Sequence, residues 1–229
     1  MKIVAISDLH GYLPELPECD IVCICGDIVP LDIQRNTFKS VSWFQLKFRP
    51  WAENLKCNKV LFIAGNHDFY LEECYKKNRV YWGIMEDLFL YNTKLYYLCD
   101  STFKYENKIF YGTPWIPDLK KWAFYGNHKE LNDKFGLIPS NCDVLLTHCP
   151  PKFSTCGTVL QKNVFNTNTD YGCQELKDAI DILHPKWNFC GHVHSGHHGI
   201  ITYKDTNIVN VSLKDEYYNV AYEPFIIEL

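Results

Sequence analysis

The stretch Val60-Leu61-Phe62-Ile63-Ala64-Gly65-Asn66-His67-Asp68 decides how this chain is read. Its five apolar residues run without alternation, which suits a strand covered on both faces, as in an α/β sheet. The run stops at a glycine, and an amide, an imidazole and a carboxylate follow at once. Four other runs repeat the plan. Residues 3–6 lead into Ser7-Asp8, with His10 two positions on, and residues 21–25 lead into Gly26-Asp27. Residues 144–146 lead into Thr147-His148, and residues 187–190 into Gly191-His192-Val193-His194. A further run, 109–111, ends in Gly112-Thr113-Pro114-Trp115. The carboxyl ends of strands in an open α/β sheet gather at one crevice, so these polar residues are expected to meet in space.

The remaining sequence supplies the layers that cover such strands. Residues 37–55 carry apolar side chains at helical spacing, with an interruption expected at Pro50. Residues 174–183 form a second amphipathic stretch, stopped before Pro185. Runs 200–203 and 208–211 flank the short Lys204-Asp205-Thr206-Asn207 connection and predict a hairpin, and 224–227 adds a last strand. Segment 149–172, with an Asn/Thr-rich part at 163–169, is a long connection of the kind that usually serves function. With no repeat, low-complexity tract or linker, residues 1–229 read as one domain, an α/β sandwich with its sheet covered by helices.

Composition excludes several classes. Hydrophobic residues make up 47% and charged residues 22%, too apolar a chain for intrinsic disorder. No apolar run reaches the ~18 residues of a membrane span, and the opening segment lacks the apolar stretch of a secretory signal, so no membrane partner is expected. A net charge of −4, with Arg35, Arg49 and Arg79 as the only arginines, offers no basic footprint for duplex nucleic acid. Cysteine occurs eleven times, an odd number, and Cys23, Cys25, Cys142, Cys149 and Cys190 lie in or beside apolar runs. The Cys23-Ile24-Cys25 spacing suits neither a zinc knuckle nor a redox pair. Buried reduced thiols in a cytoplasmic protein are the expectation.

The strand-end residues offer carboxylate oxygen, imidazole nitrogen and amide oxygen, a donor mixture suited to Mn, Fe, Zn, Co or Ni. Asp8 with His10, and His192 with His194, stand at i, i+2, which puts each pair on one side of an extended segment. With each residue type near 5%, Gly65-Asn66-His67-Asp68 alone arises by chance in about one chain in 700 of this length. Joined in order by Asp8-Leu9-His10, Gly26-Asp27, Thr147-His148 and Gly191-His192-Val193-His194, it makes a specific signal. With these motifs the sequence resembles the calcineurin-like metallophosphoesterase superfamily over essentially its whole length. Gly112-Thr113-Pro114-Trp115, Leu145-Leu146-Thr147-His148-Cys149-Pro150-Pro151 and Gly172-Cys173 are similar to the small MPPED-type phosphodiesterase subgroup.

The resemblance implies a two-sheet β-sandwich flanked by helices, with a binuclear metal site at the strand ends. It implies two divalent metal ions. Asp8, His10, Asp27 and His194 would hold one, and Asp27, Asn66, His148 and His192 the other, with Asp27 bridging. His67 matches the catalytic histidine that is not a ligand, and Asp68 the carboxylate that orients it. The reaction implied is hydrolysis of a small phosphoester, foremost a phosphodiester and cyclic nucleotides among them. Two cations clamping one phosphoryl group allow in-line attack by a bridging hydroxide, while His67 assists the leaving group. The alternatives are a phosphomonoesterase and, as a minor reading, a non-catalytic metal-stabilised scaffold. A protein Ser/Thr phosphatase is disfavoured, because Ile28-Val29-Pro30-Leu31 replaces the Asp-Arg-Gly continuation and Asp68 stands where those enzymes have glutamate.

Residues outside this set have plainer expectations. Trp115 is open between stacking a base at the pocket and filling the core. His197 and His198 read as surface-turn histidines, His128 as a surface loop, and His184 as structural. Cys149 departs from the resemblance, which puts glycine there, and reads as a small buried residue. Oligomeric state and metal identity are not legible.

Overall fold

The computed structural model describes residues 1–77, 94–153, 155–160 and 168–229. Most of the 163–169 stretch singled out above lies outside the described residues, as does Arg79. Two sheets face each other. The first has five strands in the order β13-β1-β2-β3-β4, where β1 is Lys2–Ile6, β2 Ile21–Cys25, β3 Lys59–Ile63, β4 Leu95–Tyr97 and β13 Phe225–Glu228. Strands β1 to β4 are parallel neighbours, and β13 closes one edge antiparallel to β1. The second sheet has six strands in the order β11-β12-β10-β7-β6-β5. Here β5 is Ser101–Tyr105, β6 Lys108–Thr113, β7 Val144–Thr147, β10 Trp187–Cys190, β11 Ile201–Tyr203 and β12 Thr206–Asn210. Its four central strands are parallel, with antiparallel edges at β5 and β11. The 149–172 connection contributes a small separate ribbon of β8 (Thr158–Leu160) and β9 (Asn168–Asp170).

The apolar runs behave as strands buried on both faces. In β2, Ile21, Cys23 and Cys25 join Ile3, Leu61 and Ile63 against Phe110, Leu146 and Phe189 of the other sheet, which forms the sandwich core. The alternate residues Val22 and Ile24 join Val60 and Phe62 beneath the helical layer, where Phe44, Phe48 and, from α3 (Phe69–Lys76), Tyr70 cover them. On the outer face of the second sheet, Tyr111 and Leu145 are covered by Leu131, Phe135, Leu176 and Ile180. These come from α4 (His128–Phe135) and α5 (Gln174–Leu183).

The helical stretch at 37–55 is interrupted, and the interruption precedes Pro50. Helix α1 (Thr37–Trp43) passes through a π segment, Phe44–Phe48, into α2 (Arg49–Asn54). The Arg49 amide bonds back to Phe44 O, a five-residue step that widens the helix one residue before the proline, which has no N–H to donate. The expected hairpin forms with Ile201 opposite Ile208, tighter than the quoted connection, because Thr206 pairs with Tyr203. His128 is not in a loop. It begins α4, behind a capping box in which Asn127 Oδ1 accepts from Glu130 N and Glu130 returns a bond to Asn127 N. Its ring bonds to Glu175 of α5. All eleven cysteines are free and nine are buried, as the apolar surroundings led one to expect.

Phe62 shows what the packing contributes. It is fully buried between Phe48 and Tyr97, at centroid distances of 5.4 and 5.2 Å. Phe62→Ala should cost about 3–5 kcal/mol, read as a lowered midpoint in urea unfolding with an unchanged slope.

Candidate metal centre

Five parallel strands, three from one sheet and two from the other, deliver their terminal residues to the same place. Past β1 comes Asp8, past β2 Asp27, past α/β strand β3 Asn66 and His67, past β7 His148, and past β10 His192 and His194. The turns that hold them are sharp. Asp8, His10, Asp27 and His192 all have left-handed backbones, at φ 56°, 43°, 53° and 68°. Four non-glycine residues in that region at one locus is backbone strain of the kind that clusters at functional sites. The glycines beside them follow from crowding. A Cβ on Gly65 would stand 2.2 Å from Asp27 Oδ1, and one on Gly191 2.2 Å from Asp8 Oδ2. The Gly-before-ligand pattern in the sequence is thus the imprint of carboxylates pressed against backbone.

Side chains converge in two overlapping groups. His194 Nε2 lies 3.2 Å from Asp8 Oδ1, and His10 Nε2 3.7 Å from Asp27 Oδ2. His148 Nε2 lies 2.9 Å from Asn66 Oδ1 and 3.4 Å from Asp27 Oδ1, while His192 Nδ1 is 2.8 Å from the same Asn66 oxygen. Asp27 belongs to both groups. Each ring is aimed from behind: His148 Nδ1 donates to Cys25 O at 2.8 Å and His194 Nδ1 to Asp215 O at 2.8 Å, which leaves both Nε2 atoms facing inward. The His10 side chain is 1% exposed, and neither ring nitrogen has a hydrogen-bond partner. A buried imidazole that donates to nothing and accepts from nothing is the signature of a ligand whose partner is a cation. The Asp8, His10 and His194 donor atoms lie within 4.8 Å of one another, as do those of Asp8, Asp27 and His148.

Electrostatics follow from the crowding. Burial works against the charged form of His148, but the adjoining Asp27 carboxylate overcomes it and pushes the imidazole up to about 10. In His194 burial is likewise outweighed by Asp8, and the ring is pushed up to about 9. Burial dominates at His10 and His192 and takes them down to about 4 and about 3. Asp8 and Asp27 are buried too, yet the histidines around them hold both carboxyls below their ordinary range.

One expectation is corrected, and one open alternative is decided. Asp68 does not orient His67. Its carboxylate accepts from the backbone amides of Gly65 at 2.8 Å, Ile28 at 3.0 Å and Val29 at 3.0 Å, which ties the β3 turn to the β2 turn. Burial and the nearby Asp27 charge push it up to about 7. The residue on His67 is Gln34, whose Oε1 is 2.6 Å from His67 Nδ1, and no sequence signal marked it. Trp115 is a core residue: its Nε1 donates to Asp100, and the ring packs on Tyr75 and Phe124. The tryptophan beside the centre is Trp122, 4.4 Å from the His67 ring. His198 bonds to His194 O and stacks on Tyr222, and Cys149 donates its thiol to Trp115 O in the core.

A cavity of about 400 Å³ opens on the centre, lined by Asp27, Asn66, His67, His192 and His194 on its floor. A strand-end centre of this kind suits divalent metal, and the chain belongs to the calcineurin-like phosphoesterase family, whose sequence model matches residues 1–196. Members of that family use two divalent metal ions, and the oxygen and nitrogen donors gathered here fit them. The chain is similar to metallophosphoesterase domain-containing protein 1 of Homo sapiens, 26% identical over all of this chain and 71% of that protein. It is also similar to two UPF0046 proteins of Caenorhabditis elegans, at 26% and 28% identity over the whole chain. The chain spans 60% of the length of the first of these and 81% of the second. A phosphopantetheinyl hydrolase of Mycobacterium tuberculosis shares the fold, with a TM-score of 0.56 at 14% identity over 95% of this chain and 90% of that one.

Two outcomes follow from this geometry. Asp27→Ala should lose most of the bound metal and essentially all hydrolysis, checked by elemental analysis of purified protein beside a phosphoester assay. The metal-free protein should be most stable near pH 6.5. The raised His148 and His194 stabilise it below the ordinary histidine value, and that contribution is lost as pH climbs toward 9 and 10. The depressed His10 and His192 favour folding above that value and withdraw support as pH falls toward 4 and 3. Metal holds all four rings neutral, so the loss at high pH should vanish in the loaded protein. Urea unfolding of chelated and loaded protein at pH 6.5 and 9.5 reads the difference.

Proposed function

We propose that this protein is a cytoplasmic, single-domain phosphodiesterase acting on small phosphodiesters, nucleotides among them. The observation that carries the proposal is the convergence of seven ligand-type side chains, the doubly shared Asp27 among them, with His67 at their edge. Asp8, His10, Asp27 and His194 would hold one cation, and Asp27, Asn66, His148 and His192 the other. When bound, the two cations supply acidified water and charge neutralisation at the phosphoryl oxygens.

The diester assignment is supported by charge. Two divalent cations against the carboxylates of Asp8 and Asp27 leave about +2. A diester monoanion together with the attacking hydroxide balances this, whereas a monoester dianion overshoots it. A further cationic side chain would offset the extra charge, but among the described residues no Lys or Arg lines the cavity. The free thiols of all eleven cysteines support the reducing compartment.

His67 handles the leaving group. Its Nε2 lies 3.7 Å from Asp27 Oδ2, at the floor of the cavity, and its backbone N donates to Asp27 Oδ1 at 2.8 Å. With Nδ1–H donated to Gln34 Oε1, the ring keeps one orientation as neutral imidazole and as imidazolium. The imidazolium is the form that hands a proton from Nε2 to a departing alkoxide. A positioned general acid is worth roughly 10²–10⁴ in rate, and a nitrophenolate, being stable as an anion, needs little of it.

The test measures hydrolysis with Mn added. Higher kcat/KM for bis-p-nitrophenyl phosphate than for p-nitrophenyl phosphate is expected, and the reverse order makes the protein a phosphomonoesterase. In the same assays His67→Ala should keep its metals and slow cyclic nucleotides at least ~10-fold more than nitrophenyl diesters.

A further inference from the structure

The turn at 215–219 lies beyond the residues matched by the family model, yet it roofs the metal centre. Asp215 builds it. Its Oδ1 accepts from Tyr217 N at 2.9 Å and Asn219 N at 2.8 Å, and its backbone O takes the His194 Nδ1 bond that aims that ring. The turn forces Tyr218 to φ 64°, an uncommon backbone for a bulky residue. This conformation sets the phenol ring edge-to-face on His10 and His194, at 4.9 and 5.2 Å. Glu216 of the same turn lines the cavity, as do Tyr171, Asp118 and Trp122.

Two carboxylates here have no role in the centre. Among the described residues, neither the Asp118 nor the Glu216 side chain forms a hydrogen bond or ion pair, and no Lys or Arg of those residues lines the cavity to offset them. Among the described residues, the Arg35 guanidinium lies over Phe69 at 4.1 Å and Trp122 at 5.1 Å and lines a separate depression with Glu72 and Glu73. The cavity therefore couples a metal floor, which takes a phosphoryl group, to an outer part that is anionic and walled by three aromatic rings. Aromatic rings alone would serve a nucleobase equally well. Rings combined with unpaired carboxylates favour a cation, through attraction to the ring faces and direct charge.

We propose that the 215–219 turn, with Asp118 and Trp122, selects phosphodiesters whose non-reacting organic group ends in an ammonium ion. This selection rests on the phosphodiester reading above. The same carboxylates would repel additional phosphate or carboxylate groups on a substrate.

Three p-nitrophenyl diesters test it, alike in phosphoryl group and leaving group. They differ in the other ester: trimethylammonioethyl, its uncharged isostere 3,3-dimethylbutyl, and 2-carboxyethyl. kcat/KM should fall in that order, by about 30-fold or more from first to last. The double variant Asp118→Asn, Glu216→Gln should reduce the ammonium-to-carboxylate ratio at least ~5-fold, each enzyme serving as its own reference. Calorimetric titration of the metal-free protein should show choline binding at least ~5-fold more tightly than 3,3-dimethylbutanol, a readout independent of turnover. Equal rates for the ammonium ester and its isostere, equal binding of the two alcohols, or an undiminished ratio in the double variant would overturn the inference. Turnover of bis-p-nitrophenyl phosphate in that event leaves the phosphodiesterase reading standing, whereas failure to cleave any diester overturns both.

Discussion

The carboxylate of Asp27 is the constraint around which the molecule is organised. It is 2% exposed, stands at the end of β2 on a left-handed backbone, and is reached from both sheets. One oxygen takes the His67 amide and faces His148, and the other faces His10 and His67. A buried carboxylate is costly unless it is matched by donors or cations. Matching this one requires the turns after β1, β3 and β7 to arrive within a few ångströms of each other. The register of the parallel strands, the close approaches at Gly65 and Gly191 and the strained turns all serve that requirement.

The centre pays for itself poorly without metal. Two carboxylates and five histidines share one small volume, and their preferred charges conflict: His148 and His194 are drawn toward the cation while His10 and His192 are driven from it. Divalent cations resolve that conflict, because every donor becomes useful in its deprotonated form. Binding to the folded chain alone then stabilises the fold, so strain stored in the turns is offset by the ligand they are shaped to hold.

Asp68 and Gln34 show how a shared motif can hide a division of labour. The tetrapeptide 65–68 places a carboxylate next to a histidine, and adjacency in sequence invites a pairing. In the fold, the Asp68 side chain turns back to the amides of Gly65, Ile28 and Val29, where its oxygens fasten two turns together. The neighbour of His67 arrives from 33 residues upstream, in the segment between β2 and α1. A neutral amide there orients the ring without adding another negative charge to an already acidic site.

By itself the sequence marked the central strands, their two-sided burial and the candidate ligand residues with His67 at their ends, but not β4, β5, β8 or β9. Each of these is local: continuous apolar runs report cover on both faces, and glycine next to an acid or a histidine reports a tight turn carrying a functional group. Helix α4 was missed because its capping box follows no strand-like run, although Asn127 and Glu130 stand at the right spacing. Tertiary structure alone decided which aromatic borders the centre, which amide holds His67, and that 215–219 covers the site. Trp122, Gln34 and Tyr218 meet His67 only through chain reversals that bring distant segments to one cavity, and long-range contact of that kind leaves no periodicity or spacing in the sequence to be read.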